Sequence, residues 1–288
     1  MSSEPGWAMV FGPVPSRRLG RSLGINHIPP KTCSYACVYC QLGPTIRMQA
    51  NRQSFRSPEE LSAAVEEAVE RTERSGEPID YMTFVPDGEP TVDLRLGETI
   101  GRIRTLGIPI AVITNASLLW CPDVRRDLVE ADWVSVTVDA GDEATWRRVN
   151  RPHKALEWEA VVDGVRTFSE TFSGRLVTET MLVSGINDRG APLRQIAASV
   201  GRLKPATAYV AAPTRPPAEP WVEVPPMERM VDAYVRLRGV VHQVEFLMGY
   251  EGNRFAVAED AATSLLAITA VHPMREDAVS AFLARAGA

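Results

Sequence analysis

Hydrophobic positions along the chain follow two alternating rhythms. Short runs rich in β-branched and aromatic residues recur at 23–27, 81–85, 109–114, 133–138, 176–183 and 206–212, and each reads as a strand. Between them, apolar residues spaced three and four apart predict helices at 57–75, 94–106, 122–130, 142–150, 156–172, 192–203 and 226–237. Ser57-Pro58-Glu59-Glu60 opens the first as a capping box with proline at the first helical position, and Gly76 stops it. Nearly continuous apolar strands alternating with helices predict an α/β fold with a parallel sheet buried on both faces. An incomplete (β/α)6 barrel is expected ahead of a doubly wound sheet, which periodicity does not separate from it, and the lack of a GxGxxG or Walker A sequence after any strand counts against a dinucleotide or P-loop enzyme. A further strand at 243–248 and helices at 259–270 and 275–285 form a short C-terminal extension. The expected organisation is a partial barrel over 1–212, a proline-rich lid or bridge over 213–226, and an extension over 227–288.

Composition adds little until charge is placed by position. With 288 residues, 45% hydrophobic and 23% charged, the chain can bury a substantial core and is neither fibrous nor disordered. Apolar runs stop far short of the roughly 18 residues of a membrane span, and the first residues lack the basic start of a signal peptide, so a cytoplasmic protein is expected. The net charge is −5, but residues 11–56 hold seven basic side chains and no acidic one, leaving −12 on the rest. That segment reads as facing an anion, and it contains three of the four cysteines.

Those three are Cys33, Cys37 and Cys40, spaced CxxxCxxC on a loop at 31–44 after the first strand. A zinc site normally takes four protein ligands and a second paired knuckle, and no second CxxC exists, although His27 or Cys121 could complete a set. Cys37 and Cys40 alone would make a dithiol redox pair and leave Cys33 idle. Three thiolates also suit a four-iron cluster with one iron left open for chemistry.

The other strands end in polar turns, where parallel α/β folds assemble their sites. These are Asp87-Gly88-Glu89-Pro90, Thr114-Asn115, Asp139, Asn187-Asp188 and Thr214-Arg215. From 213 to 226 six of 14 residues are proline, with Trp221 among them, a stiff segment suited to bridging the barrel mouth. His27, His153, His242 and His272 have no companion at ligand spacing and read as structural.

CxxxCxxC with Tyr39 before its last cysteine, followed by the Gly88-Glu89-Pro90 turn, resembles the radical S-adenosylmethionine (radical SAM) superfamily. Residues 12–20 (GPVPSRRLG), Ser22-Leu23-Gly24, Thr114-Asn115, Asn150-Arg151-Pro152, Arg215-Pro216-Pro217 and 268–276 resemble its small group of iron–sulfur oxidoreductases related to wyosine synthases. The resemblance implies that Cys33, Cys37 and Cys40 ligate a 4Fe–4S cluster whose fourth iron binds S-adenosylmethionine. It implies that Tyr39 lies against the adenine, that Gly88 and Glu89 receive the methionyl ammonium, and that Asn115, Asp139 and Asn187 lie near the ribose or the substrate. Asp87 departs from the family's Gly-Gly-Glu pattern. It either keeps the turn, as Asp tolerates left-handed geometry, or adds a second carboxylate or a base. Arg17, Arg18 and Arg215 are candidates for the methionyl carboxylate or an anionic substrate.

The implied activity is reductive cleavage of S-adenosylmethionine to a 5′-deoxyadenosyl radical that takes hydrogen from substrate, fed by a low-potential donor such as flavodoxin or ferredoxin. For the substrate, a small molecule, peptide or protein side chain is expected ahead of tRNA. The −12 outside the basic segment and the lack of a further cysteine cluster weigh against an RNA. A rival from another class is a zinc- or cluster-bearing regulatory protein without turnover.

Overall fold

The structure, a computed structural model, describes residues 7–248, 261–271 and 274–286. The chain runs β1 (Val10–Ser16), β2 (Gly20–Ile25), β3 (Thr32–Cys33), β4 (Arg47–Met48), α1 (Pro58–Arg74), β5 (Tyr81–Phe84), α2 (Leu96–Ile103), β6 (Ile110–Thr114), α3 (Pro122–Leu128) and β7 (Trp133–Thr137). It continues α4 (Glu143–Val149), α5 (Trp158–Thr171), β8 (Arg175–Met181), α6 (Gly190–Leu203), β9 (Thr207–Ala211), α7 (Met227–Arg238), β10 (Val244–Leu247), α8 (Ala261–Val271) and α9 (Glu276–Ala286). One eight-stranded sheet has the order β1-β2-β5-β6-β7-β8-β9-β10, parallel from β2 onward, and β3 pairs with β4 apart from it.

The expected incomplete parallel barrel is found, extended at both edges. β1 pairs antiparallel with β2 and was not legible as a strand. Gly12, Pro13 and Pro15 interrupt its pattern, and proline is tolerated there because an edge strand has one unpaired side. At the other edge β10 joins β9, so the sheet continues beyond residue 212, and α7 packs under its last two strands. The helix expected over 94–106 is shorter, with 3₁₀ turns at Pro90–Val92 and Arg104–Leu106 flanking α2. Ser57 caps α1 as expected, its side chain accepting the Glu60 amide. His272, and the start of the helix expected from 259, lie outside the described residues.

Alternation along the strands sorts the sheet into two faces. Val112, Val134, Val136, Leu176, Ala208 and Val210 pack outward under the helices. Ala111, Ile113, Trp133, Val177, Met181, Tyr209 and Ala211 point inward and cluster with Leu19 and Leu247. This inner cluster shows that the sheet is curled. β2 and β8 stand four positions apart in it, about 19 Å if the sheet were flat. Yet Arg18, just before β2, forms an ion pair with Glu179 of β8. The C-terminal helices complete the wall beside β1, where Ile268, Ala278 and Phe282 bury against Phe11 and Val14. No helix among the described residues is long and apolar enough to cross a membrane.

Candidate active site

Apart from Arg17 and Arg18, which precede β2, the expected site residues lie on segments that follow the carboxyl ends of the parallel strands. Between β2 and the cysteine loop, His27 is buried against Phe84 and donates from Nε2 to the Pro90 carbonyl at 3.1 Å. Burial lowers its pKa to about 4, so the ring is neutral and structural, as expected.

The cysteine loop is sewn to its surroundings by backbone. The Lys31 amide donates to the Asp87 carbonyl at 2.7 Å and the Glu89 amide to the Thr32 carbonyl at 3.0 Å, so this strand end and the Gly88 turn run as a short parallel ladder. A Cβ on Gly88 would lie 1.9 Å from the Thr32 carbonyl oxygen, so only glycine allows this approach. On its other flank the loop rests on the end of α4. The Ala36 amide donates to the Asn150 carbonyl at 3.1 Å, Val38 to Val149 at 2.9 Å, and His153 to the Ser34 carbonyl at 2.9 Å. From above, the proline-rich segment lies against it: the Glu219 amide donates to the Val38 carbonyl at 3.1 Å, and Val222 packs with Val38 and Val183.

All three cysteines carry free thiols held up by burial. Burial, with the Glu89 charge behind it, pushes Cys33 up to about 12, and burial likewise raises Cys37 and Cys40. Two side-chain amides reach the sulfurs. Asn115 Nδ2 lies 3.5 Å from Cys33 Sγ, and Asn150 Nδ2 lies 3.4 Å from Cys37 Sγ. Among the described residues no three His, Cys, Asp or Glu side chains converge on one point as a single ion would need. Cys121 is apart from the loop, packed against the core at the start of α3.

Glu89 is buried and densely bonded. Its Oε1 accepts from the Thr91 amide at 3.1 Å and from the Thr91 and Thr114 hydroxyls, each at 2.6 Å, while Oε2 accepts from the Asn115 amide at 2.7 Å. Burial holds its pKa above the usual carboxylate range, although the Thr114, Thr91 and Asn115 donors pull it down. Asp87 does not take left-handed geometry, which falls on Lys31 at φ 60° instead. Its carboxylate pairs with Lys31 Nζ at 3.1 Å, and Lys31 also donates to the Leu42 carbonyl, tying the turn to the far end of the cysteine loop.

A second network lies under Tyr39. Asp139 accepts from the Tyr39 hydroxyl, from Asn150 Nδ2 at 2.7 Å and from the Met181 amide at 2.8 Å. Burial lifts Asp139 to about 6. Asn187 gives both Nδ2 hydrogens to the carbonyls of Asp139 and Met181, each at 2.9 Å, and its Oδ1 accepts the Val183 amide at 2.7 Å. Fully buried, Asn187 spends both amide hydrogens and one oxygen lone pair on backbone and so locks the turn after β8.

Two cavities flank this assembly. One of about 200 Å³ lies inside the half-barrel, with Arg17, Arg18, Arg215, Glu179, Gln41 and Met181 in its wall. The other, about 90 Å³, lies between the sheet and α4, α5 and α6, with Tyr35, Trp146 and Trp158 against Asn115 and Asp139. Arg17 and Arg18 stand in the turn before β2, about 20 Å along that strand from the cysteine loop at its other end. Asn150 and Glu179 were missed from the sequence. Asn150 reads as an ordinary helix C-cap, whereas Glu179 is a charge inside a buried strand, a signal that was available.

Residues 28–192 match the Radical SAM superfamily, spanning the cysteine loop and all strands from β5 to β8. The chain belongs to the radical SAM superfamily. Its relatives include the UPF0026 protein of Methanocaldococcus jannaschii, 43% identical over 96% of this chain and 86% of that one. Among solved structures, TYW1 with a lysine–pyruvate adduct bound has a TM-score of 0.56 at 15% identity, over 76% of this chain and 73% of its own. A radical SAM methyltransferase from Sphaerobacter thermophilus has a TM-score of 0.55 at 18% identity, over 79% of this chain and 67% of its own. At such identities the likeness is one of fold. Radical SAM proteins generally use S-adenosylmethionine and a 4Fe–4S cluster, and the cysteine loop at 33–40 is compatible with that pair.

Proposed function

We propose that this protein is a radical SAM enzyme that binds a 4Fe–4S cluster through Cys33, Cys37 and Cys40 and acts on a small molecule, peptide or protein side chain. The observation carrying this reading is the seating of the cysteine loop: three half-buried thiols on one loop, which is laddered to Gly88 and Glu89, with amide donors from the ends of β6 and α4 at Cys33 and Cys37. Three cysteines suit a cluster, which attaches each of them to a different iron and leaves the fourth iron open. Cys33, Cys37 and Cys40 would hold the cluster, which with S-adenosylmethionine would supply hydrogen-abstracting radical chemistry at this end of the half-barrel.

The chain's own groups bind, orient and shield. Raised thiol pKa values mean that loading the cysteines with metal releases protons. Gly88 and Glu89 provide a carbonyl-lined turn and a carboxylate for an ammonium group, which charge-assisted hydrogen bonds favour. Asn115 and Asn150 donate to sulfur, and Asp139 holds Asn150 and the Tyr39 hydroxyl in place. Asp87 acts as a staple through Lys31 rather than as a base. The segment carrying Glu219 and Val222 limits water at the loop. Electrons come from flavodoxin or ferredoxin, and a reducing cytoplasm suits the free thiols.

Anaerobic reconstitution with iron and sulfide, then incubation with dithionite and S-adenosylmethionine, tests the reading. Release of 5′-deoxyadenosine that disappears in Cys40→Ala is expected. A colourless zinc protein without cleavage would overturn it in favour of a regulatory metal protein.

A further inference from the structure

We infer that the sheet edge formed by β10 and α7 is an interface for a second copy of this chain, paired strand to strand and helix to helix about one twofold axis.

α7 carries two apolar stripes where a helix lying on a sheet needs one. Met230, Ala233 and Leu237 are buried toward the strands, as the core requires. Met227, Val231 and Val235, spaced four apart, form a second stripe, and they are 62%, 46% and 59% exposed. A row of large apolar side chains left in water marks a contact surface. Tyr234 lies between the two stripes on the helix, and its ring stacks on Phe246 of β10 at 5.2 Å. The exposed stripe therefore lies on the side of the sheet edge, where it continues onto half-buried Phe246, while Asp232 and Arg236 take the opposite flank of the helix.

β10 offers the backbone half of the surface. Among the described residues β9 is its one sheet neighbour. The Gln243 carbonyl accepts the Ala208 amide at 2.9 Å, so alternation turns the N–H and C=O of Val244 and Phe246 toward the open side. Such an edge is a template for a further strand. Two copies of one strand pair antiparallel by a twofold rotation, which makes the same patch serve both partners. Centring that pair on Glu245 would oppose like charges, whereas centring it on Phe246 gives an aromatic cross-strand pair.

The same axis fits the helices. Paired strands lie about 4.8 Å apart, so the axis runs about 2.4 Å outside β10. α7 packs across β9 and β10, and so sits about the same distance inside β10. The two α7 axes then fall about 10 Å apart, at the upper end of the roughly 8–10 Å of packed helices, with the exposed stripes face to face. Running antiparallel, they also bring exposed Glu228 at one end of the stripe toward exposed Arg238 at the other end. Because the strands run in opposite directions across the axis, the two cysteine loops lie at opposite ends of the dimer and act independently.

Sedimentation equilibrium of the full chain tests the inference, and a reversible dimer at micromolar concentration is expected. Val231→Glu combined with Val235→Glu is expected to weaken association by about 100-fold or more, with little change in melting temperature because both side chains are exposed. Glu228→Arg and Arg238→Glu are each expected to weaken it by about threefold, and the two together to restore it. A wild type that stays monomeric overturns the inference, whatever else covers the stripe. A dimer that survives the two glutamates uses another face and overturns it as well. A charge-swapped chain that associates no better than either single variant overturns the antiparallel arrangement. Release of 5′-deoxyadenosine is expected to persist in the monomeric variant, and its loss there would overturn the independence of the two sites.

Discussion

Asn150 Nδ2 lies 3.4 Å from Cys37 Sγ and 2.7 Å from Asp139 Oδ2, so one amide at the end of α4 joins the cysteine loop to the buried carboxylate after β7. Hydrogen bonds to cluster sulfurs stabilise the reduced, more negative state and raise the potential. With a net bond worth about 1 kcal/mol, Asn150→Ala is expected to lower the midpoint potential by on the order of 40 mV for a one-electron couple. Redox titration followed by electron paramagnetic resonance checks it, and an unchanged potential would remove Asn150 from the sulfur environment.

Gly88→Ala puts a methyl group 1.9 Å from the Thr32 carbonyl oxygen. The ladder between the turn and the cysteine loop must open, at a cost of about 1–3 kcal/mol for overpacking. Iron and sulfide per chain should fall more than the melting temperature suggests, because the strain falls on the loop that carries the thiols.

Trp133 plugs the inside of the half-barrel with Leu19, Val177 and Tyr209, and it is 2% exposed. Trp133→Ala is expected to destabilise the fold by about 3–5 kcal/mol. Urea unfolding should show a lower midpoint with little change in slope.

His27 gives a pH dependence with a definite sign. Burial lowers its pKa to about 4 from 6.5, so below pH 6.5 the unfolded chain binds a proton that the folded chain refuses. Stability from this group is present above pH 6.5 and is lost as pH falls to about 4, amounting to about 3 kcal/mol. Asp139, raised to about 6 by burial, acts in the opposite sense between pH 4 and 6, since the folded chain there keeps a proton that the unfolded chain has lost. The difference between wild type and His27→Phe, followed by denaturant unfolding from pH 7 to 4, isolates the histidine. A constant difference across that range would show that the imidazole titrates normally.

Much of the site was legible because its elements obey local rules. Strand ends in parallel α/β proteins collect polar residues, so Glu89, Asn115 and Asp139 stood out at 89, 115 and 139 before any contact was known. Asn187 shows the limit of that reasoning. It occupies an equivalent strand end, yet its side chain bonds the backbone at Asp139, Met181 and Val183, contacts that no sequence pattern announces. Hydrophobic periodicity likewise found the parallel strands and missed β1, whose prolines look like a loop until β2 pairs with it.

By itself the sequence determined the alternation of strands and helices, the clustering of three thiols on one loop, and the concentration of positive charge around them. Each of these is set by neighbours within a few positions, through side-chain periodicity, spacing or composition. Only the tertiary structure decided that the sheet curls until Arg18 meets Glu179, that Asn150 reaches Cys37, and that Arg17 and Arg215 face one cavity from opposite edges. Those pairings join residues from 113 to 198 positions apart in the chain. Sheet twist and packing set such distances, and no local pattern encodes them.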